Sequence, residues 1–277
     1  MADGAYRWQG HAPTPDAARV DAIHAGYDEA EAHAFAEPAR AAAVARLDQV
    51  LAALREADTA GAGDPLNRAR TGLASLNPAV LEPRRGLAAL FDSRKRRLRD
   101  FRDAFRRAAA SLSDVAGELT GHVEASARRS ADLDAVWSDL RDAMVELDAH
   151  RLAAARRLSD HQPAADAPPH PLEARQAALD ACRAAALGAL PLIRNAQNAD
   201  ARAAEALRAC SDGAAAWSRD WSEALGRPKK VRPDRERLLR LRDDLLARID
   251  RASAELTASR ARRAGVGERL SELRAPL

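Results

Sequence analysis

Residues 91–120, FDSRKRRLRDFRDAFRRAAASLSDVAGELT, decide the fold class of this chain. Phe91, Leu98, Phe105, Leu112 and Leu119 recur every seven residues, with Phe101, Ala108 and Val115 between them. A seven-residue apolar repeat keeps one stripe of a helix turned toward a partner helix, so the stretch reads as a long helix of the coiled-coil or bundle type. The pattern resumes through Leu133, Val136, Leu140, Met144 and Leu147 to about Leu158. Gly117 and Gly121 each cost about 1 kcal/mol against alanine in a helix, which makes the region of Gly121 the place for a bend.

The rest of the composition agrees with helix. Of 277 residues 69 are alanine, only ten are aromatic, and glycine and proline stand at 14 each. That balance excludes collagen-like and Gly/Ser-rich chains and disfavours a sandwich or barrel. Alanine-rich helices with thin leucine stripes bury little side-chain volume, which predicts an all-α fold: an elongated antiparallel bundle of long helices with coiled-coil-like seams.

Working outward in both directions, residues 1–13 have no apolar period and read as a disordered arm. Residues 14–60 form an N-terminal helical hairpin. Thr14-Pro15-Asp16 carries a helix start, Pro38 restarts the helix, and Val44, Leu47, Leu51 and Leu54 define a buried face. Nine acids against four arginines between Thr14 and Asp58 make this hairpin acidic. Residues 64–160 hold a short helix opened by Asp64-Pro65, a turn-rich connector at Asn77-Pro78 and Glu82-Pro83, and the long central helix. Four prolines between positions 160 and 171 break the chain. Residues 172–277 complete the bundle with a helix interrupted at Gly188, Pro191 and Gly213 and a last helix from Asp234 to about Arg263. The seam of that last helix is Leu238, Leu241, Leu245, Ile249, Ala252 and Leu256.

No pattern of catalytic residues stands out. There is no zinc-protease helix motif, no phosphate-binding glycine loop and no cysteine pair with metal spacing, so neither catalysis nor a cofactor or metal is expected. His24 with Asp28, and Glu29 with His33, have the i, i+4 spacing of helix-borne metal ligands, but such pairs arise by chance on charged helices and read as surface pairs. Cys182 and Cys210, 28 residues apart in helical sequence, would need a chain reversal to meet. Trp217 and Trp221, one turn apart, read as core packing, and Trp137 as a plug of the bundle centre.

Charge carries more information. The chain has a formal balance of +3, yet residues 94–107 and residues 227–242 each hold eight positive and two negative side chains. Arg94, Lys95, Arg96, Arg97 and Arg99 in the first patch, and Lys229, Lys230 and Arg232 in the second, are the candidate anionic-surface residues. Basic clusters of this kind attract phosphate-bearing surfaces. The competing reading pairs them with the acidic hairpin. Nucleic acid is disfavoured, because Phe101 and Phe105 belong to the apolar seam and not to a stacking platform.

Three stretches in order resemble the TelA family of toxic-anion (tellurite) resistance proteins. Leu76-Asn77-Pro78 leads into Leu90-Phe91, a basic run and Phe101-Arg102-Asp103-Ala104-Phe105. Gly121 is followed by Leu133 to Val136-Trp137 and Met144. Leu190-Pro191-Leu192-Ile193-Arg194-Asn195-Ala196-Gln197-Asn198 is similar to the family's Leu-x-Leu-Ile-Arg segment. Pro191 inside that segment and the alanines after it depart from the pattern. The resemblance spans about residues 64–260 and implies a cytoplasmic helical scaffold without catalytic activity, linked to tellurite and envelope stress. The expected partners are another protein or a second copy, with an anionic membrane surface as the alternative, which would place the chain at the inner face of the membrane. No apolar targeting or spanning segment is expected.

Overall fold

In the computed structural model the described residues are 14–55, 60–82, 93–161, 168–225 and 233–277. They form helices α1 (Ala17–Ala25), α2 (Glu37–Arg55), α3 (Gly63–Ala74), α4 (Arg94–Asp160), α5 (Pro171–Leu225) and α6 (Arg235–Arg274), with short 3-10 turns between them. No strand occurs among the described residues, and no helix there is long and apolar enough to cross a membrane. The expected disordered arm, residues 1–13, lies outside the described residues.

The chain forms two compact units, and α4, α5 and α6 contribute to both. The first unit takes α1, α2, α4 from Arg128, α5 to Asn198 and α6 from Ala261. Leu133, Leu140 and Met144 of α4 pack there with Leu47, Val50 and Leu54 of α2, Ala186, Leu190 and Ile193 of α5, and Val266 and Leu270 of α6. The α4 and α5 segments run antiparallel: Asp148 accepts from Arg183 Nε at 2.5 Å, Trp137 Nε1 donates to the Leu190 carbonyl at 3.2 Å, and Gln197 Nε2 donates to the Ser130 carbonyl at 3.0 Å. Asp148 and Gln197 are both buried. Both are satisfied, Asp148 by a second guanidinium from Arg151 at 2.8 Å and Gln197 by Arg194 at 2.8 Å, so their burial carries no unpaired polar atom.

The second unit gathers α3 with α4 to Ala127, α5 from Ala199 and α6 to Arg260. Its core is the predicted seam: Phe101, Phe105, Ala108, Leu112, Val115 and Leu119 on α4, and Leu238, Leu245, Ile249, Ala252 and Leu256 on α6. Trp217 and Trp221 fill the remaining space, their rings 4.3 Å apart, with Phe105 at 5.4 and 5.7 Å from them. Both tryptophans are core, as the sequence predicts. Leu66, Ala69 and Leu73 of α3 close the bundle.

Several local expectations are corrected. Asp16, not Thr14, caps α1, accepting from the Ala18 amide at 3.1 Å. The residue before α3 is Ala62, whose side chain cannot cap, so Asp64 sits inside the helix instead of starting it. On α2 the buried face is Ala43, Leu47, Val50 and Leu54, with Val44 and Leu51 half-exposed at its edge. Helix α5 runs unbroken through Gly188, Pro191 and Gly213 because tertiary packing outweighs the proline's missing amide. A Cβ at Gly188 would come 3.1 Å from Leu273 Cδ1, so glycine there serves close approach of α6. Helix α6 continues to Arg274, eleven residues past its predicted end, because Val266 and Leu270 extend its buried stripe. Trp137 does not plug a centre. It is half-exposed, and the Arg194 guanidinium lies 3.9 Å above its ring.

Charge pairing fastens the N-terminal segment. Glu37, in the first turn of α2, accepts from Arg40 Nη2 at 2.6 Å and from Arg175 Nη2 of α5 at 2.7 Å. These bonds, that of Arg40 first, hold the Glu37 carboxyl down at about 2 against an ordinary 4.5. A depressed carboxylate adds stability above its unfolded value that is lost as pH falls through the folded one. The clamp is therefore intact above pH 4.5 and fails on the way down to about 2. In thermal melts the wild type should lose stability more steeply than Glu37→Gln across that window, and the two should converge at its acid end. At neutral pH, Leu133→Ala and Leu140→Ala should each cost about 2–5 kcal/mol in urea titrations, and the half-exposed Trp137→Ala less than Trp221→Ala at about 3–5. The exposed Arg128→Ala should stay within about 0.5 kcal/mol.

Candidate functional site

The basic residues singled out in the sequence divide into three groups. Lys229, Lys230 and Arg232 lie outside the described residues, as does the side chain of Arg94. Lys95, Arg96 and Arg99 are exposed on the first turns of α4. Ser93 caps that helix, accepting from the Arg96 amide at 3.3 Å, and no acid occurs in its first turn. Cations at a helix start oppose the macrodipole, so these side chains are not placed there for helix stability. Arg96 and Arg99 both approach one carboxylate, Asp100, at 3.9 Å and remain more than 70% exposed, and such pairs contribute little. A concavity of about 650 Å³ runs beside Lys95, Leu98, Arg99, Arg102 and Arg106.

Arg97 belongs to a different class. Its Nη1 donates to the carbonyls of Val80 and Glu82, each at 2.6 Å, pinning the turn Pro78–Leu81 to α4. The Glu82 carboxylate pairs with Arg235 at the start of α6, and Arg242 Nη1 donates to the Leu76 carbonyl at 3.3 Å. Three arginines from two helix starts thus fasten one short segment, so Arg97 is a structural residue and is corrected out of the exposed site. The other arginines of the second patch on α6 meet acids as well: Arg237 with Glu223 of α5 at 3.0 Å and Arg240 with Glu236 at 3.8 Å.

The acidic hairpin has partners of its own inside the first unit. Asp21 pairs with Arg156 at 2.5 Å, Glu37 with Arg175, and Asp48 with Arg274 at 2.8 Å, all within the first unit. The hairpin's carboxylates find arginines on α4, α5 and α6 far along the chain from either patch.

The histidine pairs dissolve as well. Helix α1 ends at Ala25, so His24 and Asp28 share no helix face. His24 lies 3.4 Å from Asp160, Asp28 accepts from the Ala30 amide at 2.9 Å, and Glu29 accepts from His170 Nε2 at 2.6 Å. No group of three metal-ligating side chains occurs among the described residues. Cys182 and Cys210 are buried free thiols on the single helix α5. Burial pushes both up, Cys210 to about 11, which suppresses the thiolate form.

Two of the stretches quoted for the family resemblance face each other in the first unit. Arg194 stacks on Trp137 and bonds to Asp134, while Trp137 donates to Leu190. Both stretches are accounted for as parts of the α4–α5 contact. A concavity that sequence reasoning missed lies in the same unit, where His150 and Glu146 of α4 face residues 19–39. The spacing of Glu146 and His150 is visible in the sequence, but their partners are more than a hundred residues away. No family model matches the chain, and no curated protein or solved structure matches it.

The two classes of basic residue are separable by experiment. Arg97→Ala removes two bonds from a charged donor, and each contact of that kind is worth about 1–3 kcal/mol. Amide hydrogen exchange should accelerate at residues 79–82 in Arg97→Ala and stay unchanged in Arg96→Ala.

Proposed function

We propose that this protein is a non-enzymatic helical scaffold that docks on an anionic membrane surface through the first turns of α4. The observation that carries the reading is the cluster of Lys95, Arg96 and Arg99, exposed at a helix start where cations oppose the dipole, with Arg96 and Arg99 only weakly paired to Asp100 at 3.9 Å among the described residues. Phosphate-bearing headgroups would supply counter-charge to this cluster. Nucleic acid fits less well, because Phe101 and Phe105 are buried against Trp217 and Trp221 and cannot stack on bases. The likeness to toxic-anion resistance proteins, which rests on the three quoted stretches, adds the setting: tolerance of tellurite and of envelope stress, with the helical units as an assembly platform for a protein partner.

Sedimentation with phosphatidylserine-containing vesicles tests the docking. The wild type should pellet with them at low salt and be released at high salt. Lys95, Arg96 and Arg99 together reversed to glutamate should weaken binding by about a hundredfold, at about 1 kcal/mol per basic residue, without loss of helicity. Wild-type protein that stays in the supernatant at low salt would remove the membrane reading. A deletion strain with unchanged tolerance of tellurite and of envelope stress would remove the setting.

A further inference from the structure

The concavity between α4 and residues 19–39 has the chemistry of a ligand site. Its volume is about 550 Å³, within the range of small-molecule pockets. His150 lines it: Nδ1 lies 2.9 Å from the Glu146 carbonyl, which can only accept, and 3.6 Å from the Glu146 carboxylate, so Nδ1 carries a proton and in the neutral ring Nε2 is the acceptor. Nε2 makes no hydrogen bond to any described residue. Phe35 meets the His150 ring edge-on at 5.8 Å and Tyr27 at 5.7 Å, giving the cavity an aromatic wall. The Phe35 ring is held there by backbone as well as packing. Its carbonyl accepts from Arg175 Nε at 3.0 Å, and the next residue, Ala36, takes a left-handed φ of 58° that alanine rarely adopts.

The electrostatics select the sign of the ligand. The lining holds one guanidinium, Arg19, against three carboxylates, Asp28, Glu31 and Glu146. Arg19 is committed to Glu146 at 2.5 Å, and this bond keeps the Glu146 carboxyl below its usual range. Asp28 is engaged at a backbone amide. Glu31 is exposed at the cavity and has no ion-pair partner among the described residues. An anion would meet this carboxylate, whereas a cation gains from it and from the Phe35 ring; the Tyr27 ring already carries the Arg157 guanidinium, 5.1 Å from its centroid.

The geometry points to a binding site for a small organic cation with N–H groups, of the aliphatic polyamine class, which donates to His150 Nε2 and is balanced by Glu31. This site is separate from the α4 start and does not depend on the membrane reading.

Putrescine titrated calorimetrically into the full chain tests the assignment, with its fully N-methylated analogue as a probe of equal charge and no N–H. Putrescine should bind in the range of about 0.1–1 mM, and the methylated analogue about tenfold more weakly. His150→Phe should lose about tenfold in affinity, His150→Gln should recover part of it through its amide oxygen, and the surface change Glu31→Gln should weaken binding severalfold. Thermal melts of each variant show whether it is folded, and Glu31→Gln removes no buried atom. No putrescine binding by the wild type at about 10 mM would overturn the site. So would equal affinity for the methylated analogue, or binding that neither His150→Phe nor Glu31→Gln changes.

Discussion

Small side chains on α5 set the distances on which both units depend. Ala185, Ala186, Ala189 and Ala196 are buried in the first unit, and Ala203, Ala206 and Ala214 in the second. Two glycines of the helix stand where side chains of α6 come close. A Cβ at Gly213 would come 3.3 Å from Leu245 and 3.1 Å from Arg248 of α6. Such a helix brings neighbouring backbones close, and the partners must then supply the volume. Leucines of α2, α4 and α6 do so in the first unit, and the Phe105, Trp217 and Trp221 stack does so in the second.

A thin apolar core leaves much of the specificity to polar contacts between helices. Asp148 between Arg151 and Arg183, Gln197 on the Ser130 carbonyl, Ser211 on the Ala116 carbonyl at 2.9 Å and Ser259 on Asp200 at 2.6 Å are buried and paired. An axial slip of one helix would strand these groups at the full cost of desolvation, while alanine against alanine would slide with little penalty. Register is therefore a polar property here, and helix association an apolar one. The arginine richness of the chain has the same logic: a guanidinium reaches carbonyls at loop and helix ends, as Arg97, Arg242 and Arg263 do.

The two surfaces assigned a role differ in how they are built. The α4 start is made by neighbours in sequence, Lys95, Arg96 and Arg99 on successive turns, and its positive field is a local property. The cavity at His150 is made by tertiary contact, with the ring, the Phe35 wall and the Glu31 carboxylate brought together from stretches over a hundred residues apart. Concentrated charge suits a broad surface, and a ring nitrogen in a concavity beside an aromatic side chain suits a small ligand.

The helical class, the seam from Phe101 to Leu147, the core role of Trp217 and Trp221 and the exposed basic start of α4 were all determined by the sequence itself, because period, composition and charge runs are local quantities. The fates of Arg97 and Trp137 were not. Both lie in motifs that look functional, and only their partners, the Val80 and Glu82 carbonyls and the Arg194 guanidinium, show what they do. The continuity of α5 through Pro191 and of α6 through Gly265 and Gly267 was decided by packing, since buried leucines and valines outweigh propensities of about 1–3 kcal/mol. The pairing of the acidic hairpin with Arg156, Arg175 and Arg274 was likewise a tertiary outcome. Net charge states how much must be balanced, but the antiparallel alignment of helices fixes which arginine lies within reach.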